Sequence, residues 1–508
     1  MILRQLNNSN VIILIWTLLV GITSLFSTGW LQPDEQARVM EVAHYVVYGF
    51  ASLPWELTSE PQIVSFFLGV LVAPILLVTK FLGLNGEIEA SAIRFAVGVF
   101  ASSRYFAMLQ IFKLLNLKFE RRRIYIFLCA MALFGPWFIV RTSQENFGAT
   151  FLVWAFLYHL KLMTMSPVKK SAKAFFFGIL ISLAVSSRLQ LGPSAACLVL
   201  YTMYKTDRRY LLGIVLGILL GLVPLAIVDS IYSGRPFSPA LHYLLYALSD
   251  EEGGAVWGVQ PWWYYVQQYF EAWYPPFSIL LLIPLCLGFL YSKSLLLVFG
   301  PFVIVHMILG HKEARYFSCM VPFMQLATFV GWERFETLQG VWARRLLNRR
   351  VAVISLWIFA SVGLLACFVP LNTSPAMYSA LGQLQRSGVI DRYTYLGNTK
   401  SPPSEFFTKS NDRTVLTEMV TLNDFKEGHE LQGWVAMYAG DPDQHAIFKS
   451  NCKIFYSGVS EWQIRLLRRL PSGTPIRRRI NMISHCDSPV RYDSVGGLNG
   501  KTPDSKSL

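Results

Sequence analysis

The stretch "WLQPDEQARVMEVAHY", Trp30–Tyr45, follows an apolar run, Val11–Ser27, that is long enough to cross a membrane. Two adjacent carboxylates, Asp34 and Glu35, therefore stand where the chain has just left the bilayer. A helix beginning near Asp34, after Pro33, places Val39, Val42, Ala43, Val46 and Val47 on one face. That is the pattern of an amphipathic helix lying on a membrane surface. Proline and acids also favour a helix's first turn, where they complement its dipole. The pair thus reads two ways, as a helix start or as a general base that takes a proton from a hydroxyl.

Composition sets the class. Of 508 residues, 53% are hydrophobic and only 15% charged, against about 25% charged in soluble domains. This is a polytopic membrane protein. The formal net charge of +14 does not point to nucleic acid, because the Lys and Arg fall between apolar runs, where they orient a membrane protein. The first run lacks a small-x-small cleavage site and reads as a retained signal anchor. Cys129, Cys197, Cys286, Cys319 and Cys367 lie in apolar runs without metal-like spacing and read as small buried apolar residues. No ligand cluster asks for a metal.

Candidate spans are 11–28, 63–83, 92–115, 124–140, 147–165, 173–187, 191–204, 211–229, 277–291, 294–309, 317–331 and 351–369. Cytoplasmic loops are rich in Lys and Arg. The basic clusters lie at 118–123, 169–173, 205–209 and 332–350, and they share one side with Arg4 only if 63–83 does not cross. That run contains Pro74 and reads as a juxtamembrane segment, leaving about 11 transmembrane helices. This topology puts the stretches 32–44, 141–148, 186–192, 230–276 and 310–317 outside together with the region after Pro370.

Several of these outer stretches carry candidate chemistry. In "GHKEARYF" (310–317), a helix would set His311 and Arg315 one turn apart on one face, with Lys312 adjacent and Glu313 between. Cations at the outer surface suit a phosphate; the plain alternative is snorkelling at a helix end. "RTSQENFG" offers Arg141, Gln144 and Glu145, which either bind substrate or pair with each other, and Arg188 and Gln190 stand likewise. Trp262, Trp263 and Tyr264 belong to an aromatic-rich span that fits an interfacial belt or a platform for a sugar or a lipid chain. Arg104 sits in mid-span, at a cost on the order of 3 kcal/mol, with no partner legible.

At these residues the sequence resembles glycosyltransferase family 22, the dolichyl-phosphate-mannose-dependent mannosyltransferases of GPI-anchor and N-glycan assembly. Its first-loop pattern matches at Pro33, Asp34, Glu35, Glu41, Ala43, His44, Trp55 and Glu56. The blocks "SGRPFSPALHYLLYAL", "VWGVQPWWYY" and "HKEARYF" follow in the family's order. Two positions depart from the pattern: Gln32 replaces the initial His, and the arginine after Trp-Glu is missing from 57–65. The resemblance implies a GT-C fold over residues 1–370, with an outer loop at 30–91. It also implies inverting transfer of a sugar, mannose above glucose or arabinose, from a polyprenyl- or dolichyl-phosphate donor to a glycan or glycolipid acceptor. Asp34 is then the base, with Glu35 next. His311, Lys312 and Arg315 take the phosphate, and Glu41, Trp55, Glu56, Arg141, Gln144, Glu145, Arg188, Gln190, Trp262, Trp263, Tyr264 and Glu313 bind substrate. No cofactor is implied. The rival class is a lipid or polysaccharide transporter, which should place ionisable groups within several spans. The expected location is a bacterial inner membrane with a periplasmic site, or alternatively the endoplasmic reticulum with a luminal one.

After Pro370 the composition turns polar. The stretches 433–440 and 452–459 read as short strands and 441–444 as a turn, so residues 371–508 form a small soluble α/β region. Cys452 and Cys486 are its only cysteines, and a bridge between them fits the oxidising side of the membrane.

Overall fold

The apolar runs fold as helices in a computed structural model that describes residues 9–30, 33–117, 135–164, 170–248, 258–273, 277–338, 374–397, 405–408, 416–440, 442–469 and 480–492. Helix α1 is Ser9–Phe26, and α2 runs from Pro33 through a π-turn at Gln36–Met40 to Tyr48. Then come α3 (Phe67–Phe81), α4 (Gly86–Leu114), α5 (Gln144–Thr164), α6 (Lys170–Ser187), α7 (Gly192–Lys205) and α8 (Leu211–Ser233). They are followed by α9 (Ser238–Leu248), α10 (Tyr264–Trp273), α11 (Phe277–Tyr291), α12 (Lys293–Ile308) and α13 (Val321–Leu338).

Among the described residues, four helices are long and apolar enough to cross a membrane: α4, α5, α6 and the one spanning Arg208–Ser233, which contains α8. A fifth results if Leu281–Tyr291 and Lys293–Ile308, bent by 111°, form one span. The expected runs 351–369 and most of 124–140 lie outside the described residues. Within 63–83, α3 has 15 residues with Pro74 inside, short of the ~20 a span takes.

Close packing comes from small residues, as it must where lipid offers no hydrophobic drive between helices. A Cβ on Gly178 would stand 2.3 Å from the Ile214 carbonyl, and one on Gly217 would stand 2.1 Å from that of Phe175, so α6 and α8 touch backbone to backbone. Gly288 and Gly331 do the same between α11 and α13. The mid-span Arg104 has a partner after all: its Nη1 donates to Asn146 Oδ1 at 2.9 Å. Of the cysteines read as buried, Cys319 is buried but Cys286 is exposed on its helix.

The apolar face of α2, expected on the membrane surface, packs on protein instead. Val39, Val42 and Ala43 are fully buried, and Val42 presses on Gly69 of α3, where a Cβ would come within 2.2 Å of its Cγ1. A bare glycine on α3 supplies a better partner than the interface.

The C-terminal region is a mixed five-stranded sheet with its helices. Strands β1 (Tyr393–Gly397), β2 (Leu416–Thr421), β3 (Leu431–Gly440), β4 (Lys453–Ser457) and β5 (Ile480–Val490) lie in the order β2-β1-β3-β5-β4. The expected turn at 441–444 instead opens a helix, Pro442–Asn451, because proline suits a helix's first position. One sheet face, with Tyr395, Ala436 and Ile483, shares a core with α2 and α3. Phe406 N–H donates to Glu41 Oε1 of α2 at 3.3 Å. Cys452 and Cys486 are joined in a disulfide.

Candidate active site

Asp34 stands in the first turn of α2, and Arg38 follows four residues later. The helix geometry therefore brings Arg38 Nη1 to Asp34 Oδ2 at 2.9 Å. The other terminal nitrogen of Arg38 donates to Glu56 Oε1 at 2.8 Å. From 281 residues away, Arg315 Nη1 donates to the same Asp34 Oδ2. Arg315 also grips Glu313, Nε to Oε2 at 2.6 Å and Nη2 to Oε1 at 2.7 Å. Glu313 accepts further from Tyr316 Oη at 2.8 Å and faces His311 Nε2 at 3.2 Å. Charges alternate along the row Glu56, Arg38, Asp34, Arg315, Glu313, His311. Both guanidiniums engage Asp34 through Oδ2; among the described residues Oδ1 takes no hydrogen bond.

A second cluster adjoins it. Arg188, in the short link between α6 and α7, donates to Gln144 Oε1 at 2.7 Å and pairs with Glu145 at 3.1 Å. Arg188 and Arg315 lie over one ring, Tyr316, at 4.9 and 5.6 Å. Gln190 donates to Tyr243 Oη of α9.

The electrostatics follow from these pairings. Burial pulls Arg315 down, but Asp34 and Glu313 outweigh it and hold it above its ordinary value. Arg188 is likewise raised, with Glu145 overriding burial. Burial pushes Glu313 up, yet His311 and Arg315 hold it well below the usual carboxylate range. Glu313 in turn raises His311.

Beside these groups opens a cavity of about 290 Å³. Arg38, Gln144, Arg188, Gln190 and Tyr243 are among its polar lining. Ile63, Val64, Phe67 and Leu68, with Leu222 and Leu225 of α8, are among its apolar lining.

The predicted residues divide by placement. Asp34, Arg315, Glu313, His311 and Glu56 meet in one row, and Gln144, Glu145, Arg188 and Gln190 gather beside it. The expected helical turn from His311 to Arg315 is absent, because Glu313 is extended and the helix starts at Ala314. Glu313 itself ties the two cations together. Lys312 leaves the group: its Nζ donates to the carbonyls of Gln260, at 2.9 Å, and Leu309, securing the end of α12.

Glu35 turns inward, 4% exposed, beside Arg94 and Arg141. Arg141 is buried, with Nη2 on the Ser27 carbonyl at 2.9 Å and Nη1 on that of Gly29 at 3.0 Å. Glu41 is also buried, holding Gln36 Nε2 at 3.1 Å. Trp55 is half exposed, edge-on to Tyr246 at 6.3 Å. Trp262 and Trp263 are exposed, and Tyr264 packs on Tyr265. Arg38, Tyr243 and Tyr316 were not singled out from sequence, although the Asp34–Arg38 spacing of four was a signal for the first.

Solved structures share the fold. The crystal structure of ArnT from Cupriavidus metallidurans in the apo state aligns with a TM-score of 0.55 at 12% identity, over 93% of this chain and 97% of that one. ArnT bound to undecaprenyl phosphate also gives 0.55, at 13% identity, over 97% and 100%. This is the GT-C membrane fold. Among curated relatives, GPI alpha-1,2-mannosyltransferase 3 of Mus musculus is 24% identical over 65% of this chain and 60% of its own length. Alpha-1,2-mannosyltransferase ALG9 of Homo sapiens is 22% identical over 76% and 62%. The chain thus spans about 60% of these relatives' lengths. The sequence pattern of one family runs through residues 12–407, taking in every side chain of the Asp34–Arg315 row, and the chain belongs to that family, the Alg9-like mannosyltransferases.

Proposed function

We propose that the chain is an inverting membrane glycosyltransferase that moves mannose from a polyprenyl-phosphate donor to a hydroxyl of a glycan or glycolipid. The acceptor oxygen attacks the anomeric carbon and its proton passes to Asp34 Oδ1. The bond from that carbon to the phosphate oxygen breaks, and the electron pair leaves on the lipid phosphate. Arg315 meets the charge that develops there, where a preorganised cation acts most strongly. His311 and Glu313 orient Arg315. The single observation carrying this reading is the meeting of Asp34 and Arg315 at Oδ2, beside a cavity lined by Arg38, Arg188 and apolar side chains.

Membrane sidedness belongs to the same proposal. Residues from five stretches read as external come together here: 32–44 through Asp34, 141–148 through Glu145, 186–192 through Arg188, 230–276 through Tyr243, and 310–317 through Arg315. That gathering favours about eleven crossings and a site on the periplasmic or luminal face.

The donor identity is tested by offering purified protein polyprenyl-phosphate mannose, glucose and arabinose with candidate acceptors and scoring free lipid phosphate. Acceptor-dependent release with mannose and neither other sugar is the expected result. Release with glucose or arabinose alone overturns the assignment of the sugar, and no release with any donor overturns the reaction.

A further inference from the structure

Arg38 joins two sites. It holds Asp34 and Glu56, and together with Arg188 it also lines the cavity. Neither guanidinium is fully used. Arg38 Nε and Arg188 Nε are buried without a hydrogen-bond partner among the described residues, a costly state that an arriving acceptor would relieve. Each also feels the positive charge of Arg315, so three guanidiniums lie within electrostatic reach of one another. Apolar side chains share the lining, among them Leu222 and Leu225 of α8, and on the same helix Leu219, Leu220 and Val223 are exposed. An anion with a long hydrocarbon tail matches a cavity lined by both kinds of side chain.

We propose that Arg38 and Arg188 are the ligands that clamp the donor's phosphate, and that binding it draws Arg38 off Asp34. This rests on the lipid-phosphate donor proposed above. Planar guanidiniums suit a phosphate because they donate in pairs. Arg38, Arg188 and Arg315 are each held by carboxylates, Asp34, Glu56, Glu145 and Glu313, with which an arriving phosphate competes. On transfer the acceptor's proton neutralises Asp34 while the phosphate takes the electron pair and becomes a dianion, so charge is conserved and the Arg38 drawn off Asp34 faces the more negative group. Arg38 then serves twice, holding Asp34 in place before the donor arrives and the phosphate afterwards.

The test compares binding of farnesyl phosphate and farnesol to the full-length protein in detergent and reads the ratio of their affinities. A misfolded variant weakens both, whereas loss of the clamp weakens the phosphate alone. Arg38→Gln and Arg188→Gln should each lower the ratio about tenfold or more. Glu56→Gln removes a competing anion from Arg38 and should raise the ratio, a direction that structural damage does not produce. An unchanged ratio in either arginine variant, or a lower one in Glu56→Gln, overturns the clamp while leaving the donor reading intact. A wild-type protein that fails to prefer farnesyl phosphate over farnesol overturns the donor reading itself.

Discussion

Arg315→Gln separates catalysis from binding in this site. The wild-type guanidinium spans Asp34 and Glu313, whose side chains are 25% and 28% exposed. Breaking a fully buried pair costs about 3–5 kcal/mol, but water reaches both acids here. Asp34 also keeps Arg38, and Glu313 keeps His311 and Tyr316. The stability loss should therefore be about 1–2 kcal/mol, within the range of ordinary substitutions. The kinetic loss should be larger. One preorganised donor aimed at developing charge is worth about 10²- to 10³-fold in kcat, or roughly 3–4 kcal/mol of barrier. Lipid-phosphate release at saturating donor is the assay. Arg315→Gln should lose that factor in kcat, and Lys312→Met, which only frees two backbone carbonyls, should lower thermal stability without a comparable fall in the specific activity of the folded fraction. A higher donor KM with unchanged kcat in Arg315→Gln makes Arg315 a ground-state anchor and refutes its leaving-group role.

His311 is raised by Glu313, so the pair contributes fully below the unfolded value of about 6.5 and loses that contribution as pH rises through the higher folded value. Thermal midpoints of wild type and His311→Gln should accordingly differ at pH 6 and converge well above neutrality. The disulfide spans 34 positions, worth about 3.8 kcal/mol in the loop-entropy relation. Reducing it should destabilise the C-terminal region, as read by proteolysis between 374 and 492; equal protection in reductant contradicts that. For sidedness, a cysteine at Arg122 should label only from the cytoplasm and one at Ala314 only from outside, and labelling from a common side overturns the topology.

The sequence made legible those residues whose polarity was out of place. Asp34 and Arg315 lie far apart in the chain, yet each stood at a bilayer edge where a charge needs a reason, and the fold brings them together. Glu145 and Arg188 were found on the same ground. Direction was not legible. Glu35 is Asp34's neighbour, but one residue turns a helical side chain by about 100°, which sends it to Arg94 and Arg141. Lys312 and Arg315 part because Glu313 is extended, and no periodicity announces a non-helical residue before a single helical turn. Arg104 had no visible partner because Asn146 lies on another helix, and burial of the Val39–Ala43 face required knowing that Gly69 would meet it.

In the proposed reaction a carboxylate at the membrane surface, Asp34, takes the acceptor's proton, and Asp34→Asn removes that base. The amide keeps the shape of the side chain, and Arg38 and Arg315 retain Glu56 and Glu313, so the fold should persist. Farnesyl phosphate should bind as tightly as to wild type or more so, because an anion competing for both arginines is gone. Turnover of polyprenyl-phosphate mannose should fall about 10²- to 10⁴-fold, the usual weight of a general base. Intact binding with that loss is the predicted outcome, and Asp34→Asn turning over at the wild-type rate would contradict it.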